Sequence, residues 1–148
     1  MKEKICTGIG LVGGAITAWF GGWDAAFSAL LVLMAVDYLS GLLVAGVFHR
    51  SQKSETGALE SRAGWKGLCK KGMTLLYVLV AHRLDLALGI SYIRDGLIFG
   101  FLANELLSVL ENAGLMGIPM PGIITHALDL LQRKEGADVQ SDTPENLG

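Results

Sequence analysis

Between Ile5 and Trp23 no residue carries a charge, and between Ala25 and Phe48 only Asp37 does. A helix in a soluble core needs a polar face, whereas an uncharged run of roughly 18 residues or more has the length and composition of a bilayer span. Two such runs separated by little more than Asp24 read as a helical hairpin in lipid. Gly21-Gly22-Trp23-Asp24 supplies the tight turn, and Trp23 suits the interface. The pair argues against a soluble enzyme domain, although 148 residues would accommodate one. A net charge of −2 with no basic stripe argues equally against a nucleic-acid partner. Cys6 and Cys69 lie far apart with no Cys-x-x-Cys spacing, so neither a disulfide framework nor a zinc site is indicated.

The remaining chain divides by charge. The first span, 5–22, follows Lys2 and Lys4. A cleaved signal peptide would begin this way, but no Ala-x-Ala site closes the stretch and a second apolar run starts almost at once. The second span, 25–48, is the strongest. The loop 49–71 holds six Lys/Arg (Arg50, Lys53, Arg62, Lys66, Lys70, Lys71) against Glu55 and Glu60. Lysine and arginine in short loops mark the cytoplasmic side, so this loop and the N-terminus are expected there. Contact with anionic lipid is a second use for the same residues. A third segment, 72–93, is interrupted by His82-Arg83-Leu84-Asp85, and a fourth, 96–112, contains Glu105. Pro119 and Pro121 then break the chain, and Ile123, Ile124, Ala127, Leu128 and Leu131 recur at helical spacing over 122–134. The expectation is an all-α integral membrane protein in which 1–134 forms a single helical membrane domain. It has four (alternatively three) transmembrane helices, an amphipathic helix at the interface, and a disordered polar tail, 135–148.

Twenty glycines are about twice the usual share for this length. Gly10, Gly14, Ala18 and Gly22 are spaced by four and form one smooth stripe, as do Gly41 and Ala45 on the second span and Gly96 and Gly100 on the fourth. Small residues at this spacing let helix backbones approach closely, which is what drives helix association in lipid. The plainer alternative is that glycine is common in membrane helices. With six glycines, the first span is held in lipid less firmly than the leucine-rich second one and is a candidate for the segment that rearranges.

Asp37, Arg83, Asp85 and Glu105 fall inside the spans, with His82 beside Arg83. A charge at the bilayer centre costs ~2.5–3.5 kcal/mol on insertion scales, so these groups need partners or water. One solution is a buried ion pair of Arg83 with Asp37 or Glu105. Another is a wet interface or pore lining in an oligomer, and a third is an ion- or proton-coupling site. His82 alone reads as a packing residue. No Gly-x-Ser-x-Gly, His-Glu-x-x-His, phosphate loop or metal-spaced Cys/His set is present, and no cofactor is indicated. Glu105 and Glu111, six apart, face different sides of a helix and form no acid–base pair.

Three patterns together resemble the bacteriophage holin family that includes the clostridial toxin-secretion holins. The first is Asp37-Tyr38-Leu39-Ser40-Gly41. The second is the Ser61, Gly64, Gly67, Lys70, Lys71 series. The third is Asn104-Glu105, Ser108 and Glu111-Asn112, followed by Gly117, Pro119 and Pro121. The likeness covers roughly residues 30–132. It implies a protein that assembles with copies of itself in the bacterial cytoplasmic membrane and opens lesions there. Through these a cytoplasmic endolysin reaches the cell wall without needing direct contact. It implies no enzymatic activity. Two other readings of the residues remain: a small ion- or proton-coupled transporter using Asp37 or Glu105, and a non-conducting regulator such as an antiholin.

Overall fold

Five helices account for most of the chain: α1 (Lys2–Trp19), α2 (Ala25–Gly46), α3 (Ser61–Leu88), α4 (Ile93–Leu115) and α5 (Gly122–Gln140). The structure, a computed structural model, describes residues 1–53, 56–58 and 60–140, and side chains as far as residue 136. Among the described residues there is no strand. Local chemistry sets several boundaries. The Asp24 carboxylate accepts a hydrogen bond from Phe27 N–H at 2.8 Å and so caps α2. Gly89 ends α3 in the left-handed conformation, φ 69°, its N–H bonding back to the Asp85 carbonyl. Pro119 and Pro121, with Gly117 before them, separate α4 from α5.

Helix α4 is the centre of the bundle, packed against α2, α3 and α5. Its apolar core is formed by Phe27, Leu30 and Met34 of α2, Val78 of α3, and Ile98 and Leu102 of α4. Helical periodicity carries each of these faces onward to a polar residue. Phe27, Leu30 and Met34 continue to Asp37, and Ile98 and Leu102 continue to Glu105 and Asn112. Val78 lies between Lys71 and Asp85 at intervals of seven. Contacts between Asp24 and Arg94 at one end, and Asp37 and Asn112 at the other, show that α2 and α4 run parallel. Asp85 against the start of α4 shows that α3 runs antiparallel to both.

The distribution of polarity is inverted relative to a soluble protein. Asp37, Asp85, Arg94, Glu105 and Asn112 are all buried, at no more than 5% exposure. Large apolar side chains face outward instead: Ile9, Leu11 and Val12 on α1, Val32 and Leu39 on α2, Leu76 on α3. Helix α1 buries no residue at all. Contiguous exposed apolar surface of this kind calls for lipid or a protein partner. By length and composition one helix among the described residues suits a membrane crossing on its own, α2, with a mean hydropathy of 2.0. Helix α1 has 18 residues of which Lys2, Glu3 and Lys4 are charged, and α3 and α4 carry the polar groups that the bundle encloses.

The structure corrects the expected boundaries in three places. Helix α3 starts at Ser61, so the loop between α2 and α3 is shorter than 49–71. Tyr38 of α2 packs on this added stretch, its hydroxyl 3.5 Å from the Gly64 carbonyl oxygen. Helix α5 continues to Gln140, so 135–140 is helical rather than part of a disordered tail. Residues 141–148 lie outside the described residues. Finally, α5 does not project away from the bundle as a separate interfacial helix. It folds back antiparallel along α4, with Leu131 against the core and Lys134 Nζ 4.8 Å from the Phe99 ring centroid.

Candidate polar core and cleft

Two polar clusters cross the bundle, one toward each end. In the first, Lys71 of α3 reaches between α2 and α4. Its Nζ donates to Asp37 Oδ2 at 2.7 Å and to Glu105 Oε2. Asn112 Nδ2 donates to the other Asp37 oxygen at 3.1 Å and to Ser40 Oγ at 2.9 Å. Lys53 Nζ stands 3.9 Å from Asp37, largely in the open. One cation is thus enclosed by two carboxylates, and the Asp37 oxygen not facing it accepts from the Asn112 amide. Low dielectric strengthens such bonds and equally punishes any member left alone. No buried side-chain polar atom among the described residues lacks a hydrogen bond.

The expected ion pair of Arg83 with Asp37 or Glu105 does not form. Arg83 lies over the Trp19 ring, 5.5 Å from its centroid, on the far side of α3. Two residues from Asp85 is about 200° around a helix, so when Asp85 faces inward Arg83 faces out.

The second cluster closes the opposite end. Arg94, at the start of α4, donates to the Phe20 and Gly22 carbonyls and to Asp24 Oδ2 at 2.7 Å and Asp95 Oδ1 at 3.0 Å. The buried Asp85 carboxylate accepts from the Ile93 and Arg94 N–H groups at 2.9 and 3.0 Å, placing negative charge on the positive end of the α4 dipole. Arg94 and Asp24 were not singled out from sequence. Their signal was an arginine followed by an acid at the junction of two helices, which reads equally well as an exposed turn.

This latch supports two expectations. Gly21 holds φ 84°, and a Cβ there would meet Arg94 Nε and His82 Nδ1 at 2.7 Å. Gly21→Ala combines left-handed strain with a clash against a pinned side chain. It should therefore destabilise the fold by about 2 kcal/mol or more, read as a lowered unfolding midpoint in detergent. Burial raises the Asp24 pKa, but the Arg94 hydrogen bond, the Phe27 N–H and the Arg94 charge outweigh it and hold it below its ordinary 3.8. A depressed carboxyl contributes stability above its unfolded pKa and loses it as pH falls through the folded value. The unfolding midpoint should drop on acidification below about pH 4, and Asp24→Asn should flatten that part of the profile.

The packing stripes behave differently from one another. A Cβ at Gly10 or Gly14 would meet nothing within 4 Å and Ala18 is exposed, so the α1 stripe has no partner among the described residues. Gly22, expected on the same stripe, lies beyond α1 in the turn at φ 95°, its carbonyl accepting from Arg94. Gly41 faces Asn112, 3.8 Å away, and Ala45 is buried. Gly100 faces the tip of Glu135 from α5, and Gly96 is half-buried beside it. Residues of the three sequence patterns gather around one opening between α2 and α3. It is a cavity of about 530 Å³ floored by Asn104, Glu105 and Ser108 of α4, with Asp37 and Lys71 at its inner end. Gly64, Gly67 and Lys70 line its α3 wall, while Ser61 borders an adjoining groove. Glu111 is exposed, Asn112 joins the polar core, and Gly117, Pro119 and Pro121 form the α4–α5 connection. Among the described residues no cluster of His, Cys, Asp or Glu could hold a metal.

The bacteriophage holin family model matches residues 14–133, most of the described chain. The chain belongs to the bacteriophage holin family. It is 39% identical over 132 residues to an uncharacterized protein of Listeria monocytogenes, covering 87% of this chain and 89% of that one. An uncharacterized 14.9 kDa protein of Clostridium perfringens is 35% identical over 125 residues, 82% of this chain and 89% of the relative. A probable holin of Bacillus phage phi105 is 27% identical over 114 residues, 76% and 78% of the two chains. No solved structure matches. The match therefore spans α2, α3 and α4 entirely, including the polar core, the latch and the cleft. The family suggests a cytoplasmic-membrane location for this holin-family chain and a role in phage lysis, and α2 is a candidate span.

Proposed function

We propose that this holin-family chain is a non-enzymatic, multi-pass protein of the bacterial cytoplasmic membrane. On this reading α1 to α4 cross the bilayer with the N-terminus in the cytoplasm, and many copies assemble into lesions that release a cytoplasmic endolysin. The observation that carries it is the inverted polarity: five polar side chains enclosed and the large apolar ones turned outward. In lipid that arrangement is stable, and in water it is not. Lesion formation needs a polar surface that can be uncovered and a way for copies to pack. The seam between α2 and α3 supplies the first, because Asp37, Lys71 and Glu105 already lie at the inner end of an open cleft. The Gly10, Gly14 and Ala18 stripe of α1, unpartnered among the described residues, supplies the second. Once neighbouring copies take up α1, separation of α2 from α3 turns the polar core toward water and lines the opening. Membrane potential biases this step, at ~2.3 kcal/mol per charge per 100 mV.

The enclosed Asp37–Lys71–Glu105 triad also favours a second reading, an ion- or proton-coupled transporter, since intramembrane acids paired with a base are the parts such a protein uses. One experiment separates the two. Expression with a separate cytoplasmic muralytic enzyme, recording membrane potential and turbidity together, should give abrupt collapse followed by enzyme-dependent lysis. Growth with the potential intact and no lysis would remove the lesion-forming reading.

A further inference from the structure

The cleft has more positive charge at its mouth than the polar core uses. Lys71 is consumed by Asp37 and Glu105. Glu60, the remaining acid on the lining, is turned to Thr56, whose hydroxyl donates to it at 2.8 Å. Lys66 and Lys70, one helical turn apart on α3, line the opening with no acid partner among the described residues, and Lys53 faces them from the loop. The N-terminus of α3, at the same opening, has no side-chain cap. Unbonded N–H groups and the positive end of the helix dipole add to the lysines there. An anion is the ligand this surface recognises.

The outer side of the same opening is mostly apolar. A groove of about 280 Å³ adjoins the cleft, sharing Tyr38, Leu42, Gly64 and the Thr56-bonded Glu60 with it and adding Ser61, Trp65 and Leu68. Trp65 is 67% exposed and Leu68 also faces outward. Basic mouth and aromatic–aliphatic groove together match an amphiphile with a phosphate head and a hydrocarbon tail. A free phosphate would leave the groove bare. We infer that the α2–α3 cleft binds one anionic phospholipid, its phosphate between Lys66, Lys70 and the start of α3, and an acyl chain along Tyr38, Leu42, Trp65 and Leu68. The lipid fills the seam that has to open for the polar core to be exposed, so its occupancy favours the closed bundle.

The inference rests on the membrane-embedded reading and needs nothing about lesions. The full chain is reconstituted in vesicles of phosphatidylcholine containing brominated phosphatidylglycerol or, at equal mole fraction, brominated phosphatidylcholine, and tryptophan quenching is measured. Brominated phosphatidylglycerol should quench more, and Trp65→Phe should abolish that difference. Lys66→Gln with Lys70→Gln should weaken the preference about fivefold per lysine, the worth of one such charge beside anionic lipid. Lys2→Gln with Lys4→Gln removes equal charge outside the cleft and should retain the preference. Equal quenching by the two lipids overturns the site. So does a loss with Lys2→Gln and Lys4→Gln as large as with the cleft pair, which would mean general surface attraction. Displacement by millimolar glycerol phosphate would assign the cleft to a free phosphate and overturns it too. A chain that fails to float with either vesicle overturns the membrane-embedded reading as well, whereas flotation without lipid preference overturns this inference alone.

Discussion

Lys71→Met should destabilise the folded bundle by about 3–5 kcal/mol, the usual consequence of removing one partner from a buried charge cluster. The substitution keeps the aliphatic length of the side chain, so little packing is lost. What is lost is the cation shared by Asp37 and Glu105, each on a separate helix and each enclosed. Two like charges then face each other, with Asn112 and the more distant Lys53 placed to relieve only Asp37. Thermal unfolding in detergent should show a clearly lower midpoint, and the amount of protein retained in membranes should fall. The triple replacement Asp37→Asn, Lys71→Met, Glu105→Gln removes the imbalance and should recover most of the loss. Coupling of this size appears as non-additivity between the single and combined variants. If Lys71→Met alone melted like the parent, the cluster would be solvated rather than enclosed, and its proposed part in lining a lesion would lose its basis. Function separates the two variants further: the triple one should fold yet lyse late, since its seam no longer exposes charge.

Asp37 and Glu105 were legible in the sequence because a carboxylate in an otherwise apolar run is conspicuous whatever its partner. Their partner was not. Lys71 stands at the edge of an apolar segment, in a stretch of basic residues that also serves to set orientation, and nothing local distinguishes it from Lys70. Only the extension of α3 back to Ser61 turns the two apart, sending Lys71 inward and leaving Lys70 on the cleft wall. Arg83 was conspicuous for the wrong reason: it interrupts an apolar segment but lies on the outer face of its helix. The three family patterns lie far apart in sequence, and spacing alone could not place them around one opening, because that depends on α2 and α4 packing in parallel with α3 antiparallel alongside them. Helix number and order were read from hydropathy and breakers. The course of α5 was not, since an amphipathic helix is satisfied equally by a membrane surface or by a neighbouring helix.

Arg94→Gln should loosen the end of the bundle opposite the triad and advance the onset of lysis. Helix α1 buries nothing, so its attachment to the rest of the chain runs through the turn that Arg94 grips and through Trp19 beneath Arg83. Glutamine keeps one donor of the three guanidinium nitrogens and no charge. At least two of the Phe20 carbonyl, the Gly22 carbonyl and the Asp24 carboxylate then lose their partner in a largely enclosed site. Truncating one side of such a charge-assisted network costs about 3 kcal/mol. Asp24 is half-exposed and can turn to water, so most of that loss falls on the carbonyls rather than the ion pair. Asp24→Asn should accordingly be milder than Arg94→Gln, and the double variant close to Arg94→Gln alone. A lower barrier to detaching α1 means that copies take up one another's Gly10–Ala18 stripe at lower density, so turbidity should fall earlier at equal expression. Limited proteolysis of membranes supplies the independent reading: cleavage at the 20–24 turn should quicken in the variant before any change in potential. Unaltered timing with a loosened turn would show that α1 does not gate assembly. Later lysis would show that the latch must be closed for copies to pack.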